Sequence, residues 1–215
     1  MMAAEPLPIG SMLEAALSYA ARGWPVFPIY EMVGDACACR NPKCSAPGKH
    51  PRTATGHSEA TTDEGTIRRW WDEQPNANIG IRTGAESGLL VLDVDPRHNG
   101  NESLEEILLS NGQIEECPES HTGSGGRHFF FKHPGFKTGN RANFRPGLDI
   151  RGDGGYIVAP PSNHKSVARY EWDAVFDDST PTPDPPAWLL ALIRESTSSE
   201  PIAYERTPYR GELPM

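Results

Sequence analysis

Residues 88–96 read GLLVLDVDP, and this stretch decides the fold class. Leu89, Leu90, Val91 and Leu92 form an unbroken apolar run bounded by Gly88 and, past the acids, Pro96, the pattern of a short strand buried on both faces. Side chains alternate along a strand, so Asp93 and Asp95 project from the same face. Two carboxylates on one face repel each other unless a cation lies between them, and hard oxygen ligands of this kind suit Mg2+ or Mn2+. Taken alone, the pair fits equally an aspartate that ends a strand and caps the turn before Pro96.

Working outward, NIGIRTG (78–84) is a preceding strand separated by a glycine-rich turn, and TDEGTIRRWWDEQ (62–74) is a helix with Ile67, Trp70 and Trp71 as its buried stripe. SMLEAALSYAAR (11–22) predicts an amphipathic helix behind a serine cap, ended by Gly23, and the prolines of WPVFPIY (24–30) favour an edge strand. On the other side come a helix over Glu102–Ser110, strands around SHTG and RHFFFK, then GLDIR, GYIVAPP and a short strand near ARYEW. AWLLALIRE supplies a last helix. Helices mixed with hairpin-like strand pairs indicate an α+β (mixed α/β) fold rather than a doubly wound parallel sheet. The expected organisation is one domain over 1–195, with an irregular loop at 31–52 and a tail or cut end at 196–215.

The chain has 215 residues, 29 acids against 20 bases and a net charge of −9, which argues against a simple basic DNA-coating protein. The total hides a division: residues 127–169 hold eight bases against two acids, and 37–52 hold four bases and no acid. Residues 98–120 and 171–215 are acidic. A local positive field attracts a polyanion better than the sum suggests, although solvated faces of opposite sign would give the same counts. No apolar run approaches the ~20 residues of a membrane span, and the N-terminus lacks a basic stretch ahead of an apolar one. A cytoplasmic, unprocessed protein with no membrane partner is expected.

Cys37, Cys39, Cys44 and His50 have the spacing C-x-C-x4-C-x5-H. Three cysteines this close in a reducing compartment point to a metal rather than to disulfides, and three thiolates with one imidazole complete a tetrahedral structural Zn2+ site. Such a site carries −1, which the four bases of the loop outweigh. Cys117 lies far away in an acidic stretch and reads as a small core or surface residue.

TGSGGRHFFF (122–131) sets a glycine turn ahead of a strand carrying His128, where small residues permit close approach to an anion and an imidazole can donate to a phosphate oxygen. A single histidine at a strand start is also a common structural residue. GLDIRGDGGYIVAPPS (147–162) adds Asp149 and, two residues on, Arg151 on the same face. Asp149 would complete a three-carboxylate site able to hold two metal ions, one activating an attacking hydroxyl and the other steadying a leaving phosphate. Asp153, in the glycine turn after that strand, is expected to be exposed or to form the turn.

LDVD, SGGRH and GLDIRGDGGYIVAPPS, in this order, resemble the bifunctional primase/polymerase (Prim-Pol) group of the archaeo-eukaryotic primase superfamily, common on plasmids and phages. The likeness takes in the first helix, WPVFPI, GKHP, the tryptophan helix, NIGIRTG and RYEW, roughly residues 11–195. It implies a two-lobed primase-type core with a modified RRM-like (RNA-recognition-like) sheet and a zinc-binding loop insertion. It assigns Asp93, Asp95 and Asp149 to the catalytic Mg2+ or Mn2+ ions and His128 to the phosphates of the incoming nucleotide. Ser124, Arg127, Arg151 and Ser162 follow as nucleotide contacts, with Lys49 of GKHP on the triphosphate or the template strand. It also supports His50 as the fourth zinc ligand.

The implied function is template-directed nucleotidyl transfer, a DNA primase and DNA polymerase in plasmid, phage or other mobile-element replication, within a prokaryotic or phage-infected cell. Its partners would be single-stranded DNA template, primer, dNTPs or NTPs and a separate or fused helicase, since no Walker G-x4-G-K-[ST] motif is present. Two other readings use the same residues: a divalent-metal-dependent nuclease or phosphodiesterase whose acids activate water, and a zinc-bearing replication binding module whose acids are structural. The net charge further suggests weak non-specific DNA affinity and poor processivity.

Overall fold

Ser11 opens helix α1 (Met12–Ala21) by a reciprocal capping box in which its hydroxyl accepts from the Glu14 amide at 3.2 Å and the Glu14 carboxylate accepts from the Ser11 amide at 2.7 Å. Gly23, at φ 81°, lets the chain leave the helix. The computed structural model describes residues 11–177 and 179–198. Strand β1 (Val26–Ile29) is followed by the hairpin β2 (Met32–Val33) and β3 (Ala36–Cys37), and by α2 (Glu64–Glu73), whose Asp63 cap accepts from the Thr66 amide at 2.8 Å. Then come β4 (Asn78–Arg82), β5 (Leu89–Val94), a 3-10 turn at Pro96–His98 and α3 (Gly100–Asn111). The chain continues through β6 (Glu119–His121), β7 (Arg127–Lys132), β8 (Arg141–Arg145), β9 (Leu148–Arg151), β10 (Tyr156–Ala159), β11 (Glu171–Trp172) and α4 (Ala187–Ser198). The tail expected from residue 196 lies outside the described residues from 199 onward.

The fold is mixed α/β, with antiparallel ladders throughout the described residues. A six-stranded sheet has the order β11-β6-β7-β5-β9-β8, and a three-stranded sheet the order β1-β4-β10. β1 is an edge, as its prolines require. Alternation along β5 divides the molecule into layers. Leu89 and Val91 join Phe130 in a core with α1, α2, Ile79 and Ile81. Leu90, Leu92 and Val94 face the other way, into a core with Leu104 of α3 and Trp188, Leu189 and Ile193 of α4. Asp93 therefore emerges on the side of the three-stranded sheet, beyond the end of the first core.

Of the hairpin-like pairs expected from sequence, β6 and β7 form a hairpin closed by the turn at 122–126, but two others do not. β4 and β5 lie in different sheets, as do β9 and β10, so the chain changes sheet at 84–88 and again at 152–155. Asp153 fastens these two crossings together. Its carboxylate accepts from the amides of Ala85 (2.9 Å) and Thr138 (2.8 Å) and lies 3.3 Å from His133 Nε2. It forms the turn, as expected, but it is partly enclosed and bonded across loops rather than simply exposed. Burial alone would raise its pKa, yet the amides of Ala85, Thr138 and Gly139 outweigh that and hold it at about 2. A depressed carboxylate stabilises the fold above its unfolded pKa and ceases to as pH falls through the folded one. The stability gap between wild type and Asp153→Asn should accordingly be constant near neutrality and close between about pH 4 and 2 in urea melts, and a gap unchanged at pH 2 would exclude this role.

β8 lies between RHFFFK and GLDIR, where the sequence pattern predicts no strand. It is irregular because the ladder register shifts between Arg141 and Arg145, with Asn143 at φ 55° turned out of the ladder.

Candidate active site

Three adjacent strands bring three of the expected residues into one row. Asp93 of β5 stands opposite His128 of β7 on one side and Asp149 of β9 on the other. The arrangement follows from register: a shift of one residue in either ladder would turn His128 or Asp149 into the opposite core. Arg151, two residues beyond Asp149 on the same face, donates from Nη2 to Asp93 Oδ2 at 2.9 Å and to Asp149 Oδ2 at 2.6 Å. One positive nitrogen thus sits between two carboxylates. The remaining Asp149 oxygen accepts from the Asn143 amide at 2.6 Å, so the irregularity of β8 holds this acid in place.

His128 is 5% exposed, with Nε2 3.6 Å from Asp93 Oδ1 and Nδ1 3.4 Å from the Ser120 hydroxyl. Burial lowers its pKa, and the nearby carboxylate of Asp93 only partly opposes that. Asp95 belongs to the same end of β5 but is engaged elsewhere. Arg97 forks onto it, Nε to Oδ1 at 2.9 Å and Nη2 to Oδ2 at 2.7 Å, with His98 Nδ1 3.1 Å from Oδ2. The Arg97 guanidinium holds this carboxyl far below the usual range. The three aspartates do not converge as closely as expected: two meet at Arg151 and the third at Arg97.

Lys49 faces the same acids from the other layer. Burial lowers its pKa, and the charges acting on it are those of Arg97, Asp93, Lys165 and Asp95. Its loop is pinned by Asn78, which is fully buried and donates to the carbonyls of Gly48 (3.0 Å) and Asn163 (2.8 Å), and by Tyr156, whose hydroxyl donates to Lys49 O at 3.0 Å.

Residues 16–188 match the family described as "Bifunctional DNA primase/polymerase, N-terminal" (Prim-Pol). The chain belongs to the Prim-Pol family. No curated protein matches it. The family is one of DNA primases and polymerases, whose activity calls for DNA and nucleotides as partners. No helix of the described residues is long and apolar enough to cross a membrane.

The second cluster of this Prim-Pol chain lies in the 31–52 loop. Ligand atoms of Cys37, Cys39, Cys44 and His50 all fall within 4.8 Å of one another, the one such group of three or more among the described residues. Cys37 Sγ lies 3.5 Å from His50 Nε2, close to the roughly 3.5 Å edge of a tetrahedron built on usual Zn–S and Zn–N lengths. The Asn41 amide lowers the Cys39 thiol, as a metal-binding thiolate needs. The β2–β3 hairpin presents Cys37, and the following turns bring Cys44 and His50 back to it. The donor set fits a closed structural ion. Cys117 stands apart, half-buried against the second core, its thiol pushed up to about 12 by burial.

Two other expected contacts are placed away from the row. Arg127 pairs in register with Val94, not Asp93, so it lies on the opposite face, over the Phe129 ring and 3.6 Å from Glu119. Ser162 is fully buried and its hydroxyl accepts from the Ile79 amide at 2.9 Å, a structural role. Ser124 sits in the β6–β7 turn, 3.1 Å from the Thr122 hydroxyl. Conversely, Arg97, Tyr170 and His164 belong to the site without having been singled out. Burial raises the Tyr170 phenol, followed by the charge of Asp93, and its ring lies between those of His128 and His164. The alternation of RYEW marks Tyr170 as inward, but only the fold shows which residues it meets.

Proposed function

We propose that this chain is a template-directed nucleotidyltransferase, acting as DNA primase and DNA polymerase with two divalent Mg2+ or Mn2+ ions and one structural Zn2+. The observation that carries the reading is the in-register row His128–Asp93–Asp149 with a cation already bridging the two acids. The bridging Arg151 nitrogen makes that point fit for a positive ion. Asp93 and Asp149 would hold one divalent ion and Asp93 with Asp95 the other; when bound, the pair would activate a 3′-hydroxyl and offset charge on the leaving pyrophosphate.

The chain's own residues account for the rest. Asp93 is held between His128 and Arg151, so its orientation is fixed before any substrate arrives. Arg151 and Arg97 now neutralise the acids, and a nucleotide triphosphate carries the charge with which both guanidiniums can pair instead. The face that carries the row lies toward the three-stranded sheet, and we assign the two layers to the two lobes of a primase-type core, with the six-stranded sheet as its RRM-like half.

The test is one labelled primer-template incubated with Mn2+, with and without dNTPs. Lengthening that needs dNTPs is expected; shortening without them would make the chain a nuclease, and neither would leave a binding module. De novo synthesis on circular single-stranded DNA tests priming.

A further inference from the structure

We infer that the tip of the 163–169 loop is a contact for single-stranded DNA, with the Val167 side chain packed on the face of an unstacked base and Lys165 and Arg169 on the phosphates to either side. Naming DNA as the partner rests on the nucleotidyl-transfer reading; the conformation of the tip does not.

Val167 is held in a backbone conformation that its side chain disfavours. Its φ is 71°, and it is the one β-branched residue with positive φ among the described residues, the other non-glycines being Arg40, Asn99 and Asn143. The His164 amide donates to Ala168 O at 3.0 Å, the Val167 amide donates to His164 O at 3.1 Å, and Asn163 bridges to Arg169. These bonds close a hairpin loop of three residues, Lys165, Ser166 and Val167, whose last position takes the left-handed conformation and is ordinarily glycine. A β-branched side chain is strained there, because its Cβ crowds the following carbonyl. Val167 is also 89% exposed, so no burial offsets the strain. A lone exposed valine is ordinary, but here glycine would make the same turn without strain, so the turn does not account for the valine.

Its surroundings select the partner. Residues 163–169 read NHKSVAR, with no acid, and Lys165 and Arg169 on either side of Val167 are exposed and form no ion pair among the described residues. An apolar tip between two free cations fits a polyanion that also offers flat apolar faces, and a base outside a stack is such a face. The tip is presented rigidly. The Asn163 amide donates to Asn78 Oδ1 at 2.8 Å, and the Ser166 hydroxyl donates to Gly123 O at 2.5 Å. Gly123 packs so tightly against His164 that a Cβ there would lie 2.2 Å from the His164 Cβ. The tip also stands at the rim of the candidate site. Three residues, at most about 11 Å of chain, separate Val167 from Tyr170, whose ring centroid is 6.3 Å from that of His128. A strand with its end at the row of acids thus has the tip within reach of the bases just beyond that end.

The experiment measures, by anisotropy and without metal or nucleotide, binding of a labelled single-stranded oligonucleotide and of an abasic strand of the same length. Variants are Val167→Gly, Val167→Asn and Lys165→Glu combined with Arg169→Glu. We expect Val167→Gly to weaken the oligonucleotide by about fivefold, as exposing one partly buried valine side chain does, and to leave the abasic strand unchanged. Val167→Asn, which also tolerates the left-handed conformation, should behave like the glycine variant, and reversing the two charges should weaken both strands. Thermal melts separate this contact from a structural role: glycine relieves the strain, so Val167→Gly should melt no lower than wild type, and a lower melting point makes the valine structural and overturns the contact. Equal binding of the oligonucleotide by Val167→Gly and wild type, equal loss on both strands, or wild-type protein that binds neither strand overturns it too. Self-association lost in sedimentation while DNA binding is unchanged overturns it in favour of a contact between copies of this chain. Protein that binds bases through Val167 but never extends a primer keeps the tip and loses the polymerase reading, whereas extension with binding indifferent to Val167 does the reverse.

Discussion

Asp93→Asn should abolish nucleotide addition, by about three powers of ten or more in kcat/KM, while leaving the protein folded. Asp93 is the middle member of the row, opposite both His128 and Asp149, so its carboxylate serves every element of the proposed chemistry. A charge that stabilises the transition state of phosphoryl transfer is worth several kcal/mol, and each ~1.4 kcal/mol is a factor of ten. Asparagine keeps the shape and one acceptor for Arg151 but removes the charge. The fold should tolerate this because the core of β5 is built by Leu89 to Leu92 and Val94, not by the acid. Arg151 retains Asp149 at 2.6 Å, so no buried cation is left alone. Thermal melts and metal-dependent primer extension should be run on the same preparation; normal extension by a variant that melts like wild type would remove Asp93 from the active site. The matching variant Asp149→Asn should behave alike. Asp95→Asn carries a different expectation, because it also releases Arg97 from its present partner.

The row was legible before the fold was, and the reason lies in the period of a strand. GLLVLDVDP specifies its own faces, and RHFFFK and GLDIR do the same, so three buried strands with polar groups at one end could be read directly. What alternation does not encode is which strand pairs with which. NIGIRTG and GLLVLDVD are neighbours in sequence and look like a hairpin, yet their side chains are shared between different sheets because the 84–88 turn is tied by Asp153 to a loop far along the chain. Local pattern has no term for such a contact. Arg127 illustrates the same boundary from within a motif. It is adjacent to His128 in SGGRH, and adjacency in a strand means opposite faces, so its neighbour's place in the row is the reason it is excluded from it. His164 went unrecognised for the opposite reason: a histidine in a proline- and serine-rich loop has no periodicity to orient it, and only the fold sets its ring against Tyr170.

Cys37→Ser should remove the structural metal and, with it, the placement of Lys49, without unfolding the two cores. Wild-type protein purified without chelators is expected to carry about one zinc per chain by elemental analysis, and the variant close to none. The consequence is local because both ends of the loop are held by other means. The Tyr30 amide donates to His50 O at 3.1 Å, the Arg52 amide to Pro28 O at 2.9 Å, and Arg52 pairs with Glu31 at 2.7 Å. The interior of the loop has no comparable support: two-residue strands and turns around Cys37, Cys39 and Cys44 bury little apolar surface, with Cys37 the one buried member of the metal group. Losing the ion therefore frees the residues around the three cysteines, up to the bonds that Asn78 and Tyr156 make at Gly48 and Lys49, rather than the sheets, and protease should cut there in the variant but not in the wild type. Lys49 lies at the end of that segment, facing Asp93 and Asp95, so the KM for nucleotide should rise by about tenfold with a smaller change in kcat. A zinc-free wild-type protein would remove the metal, and a variant equally resistant to protease would show that the loop is ordered by its anchors alone. If zinc is lost and protease cuts the loop while KM stays constant, Lys49 is held by Asn78 and Tyr156 through the backbone of residues 48 and 49, independent of the metal a few residues away.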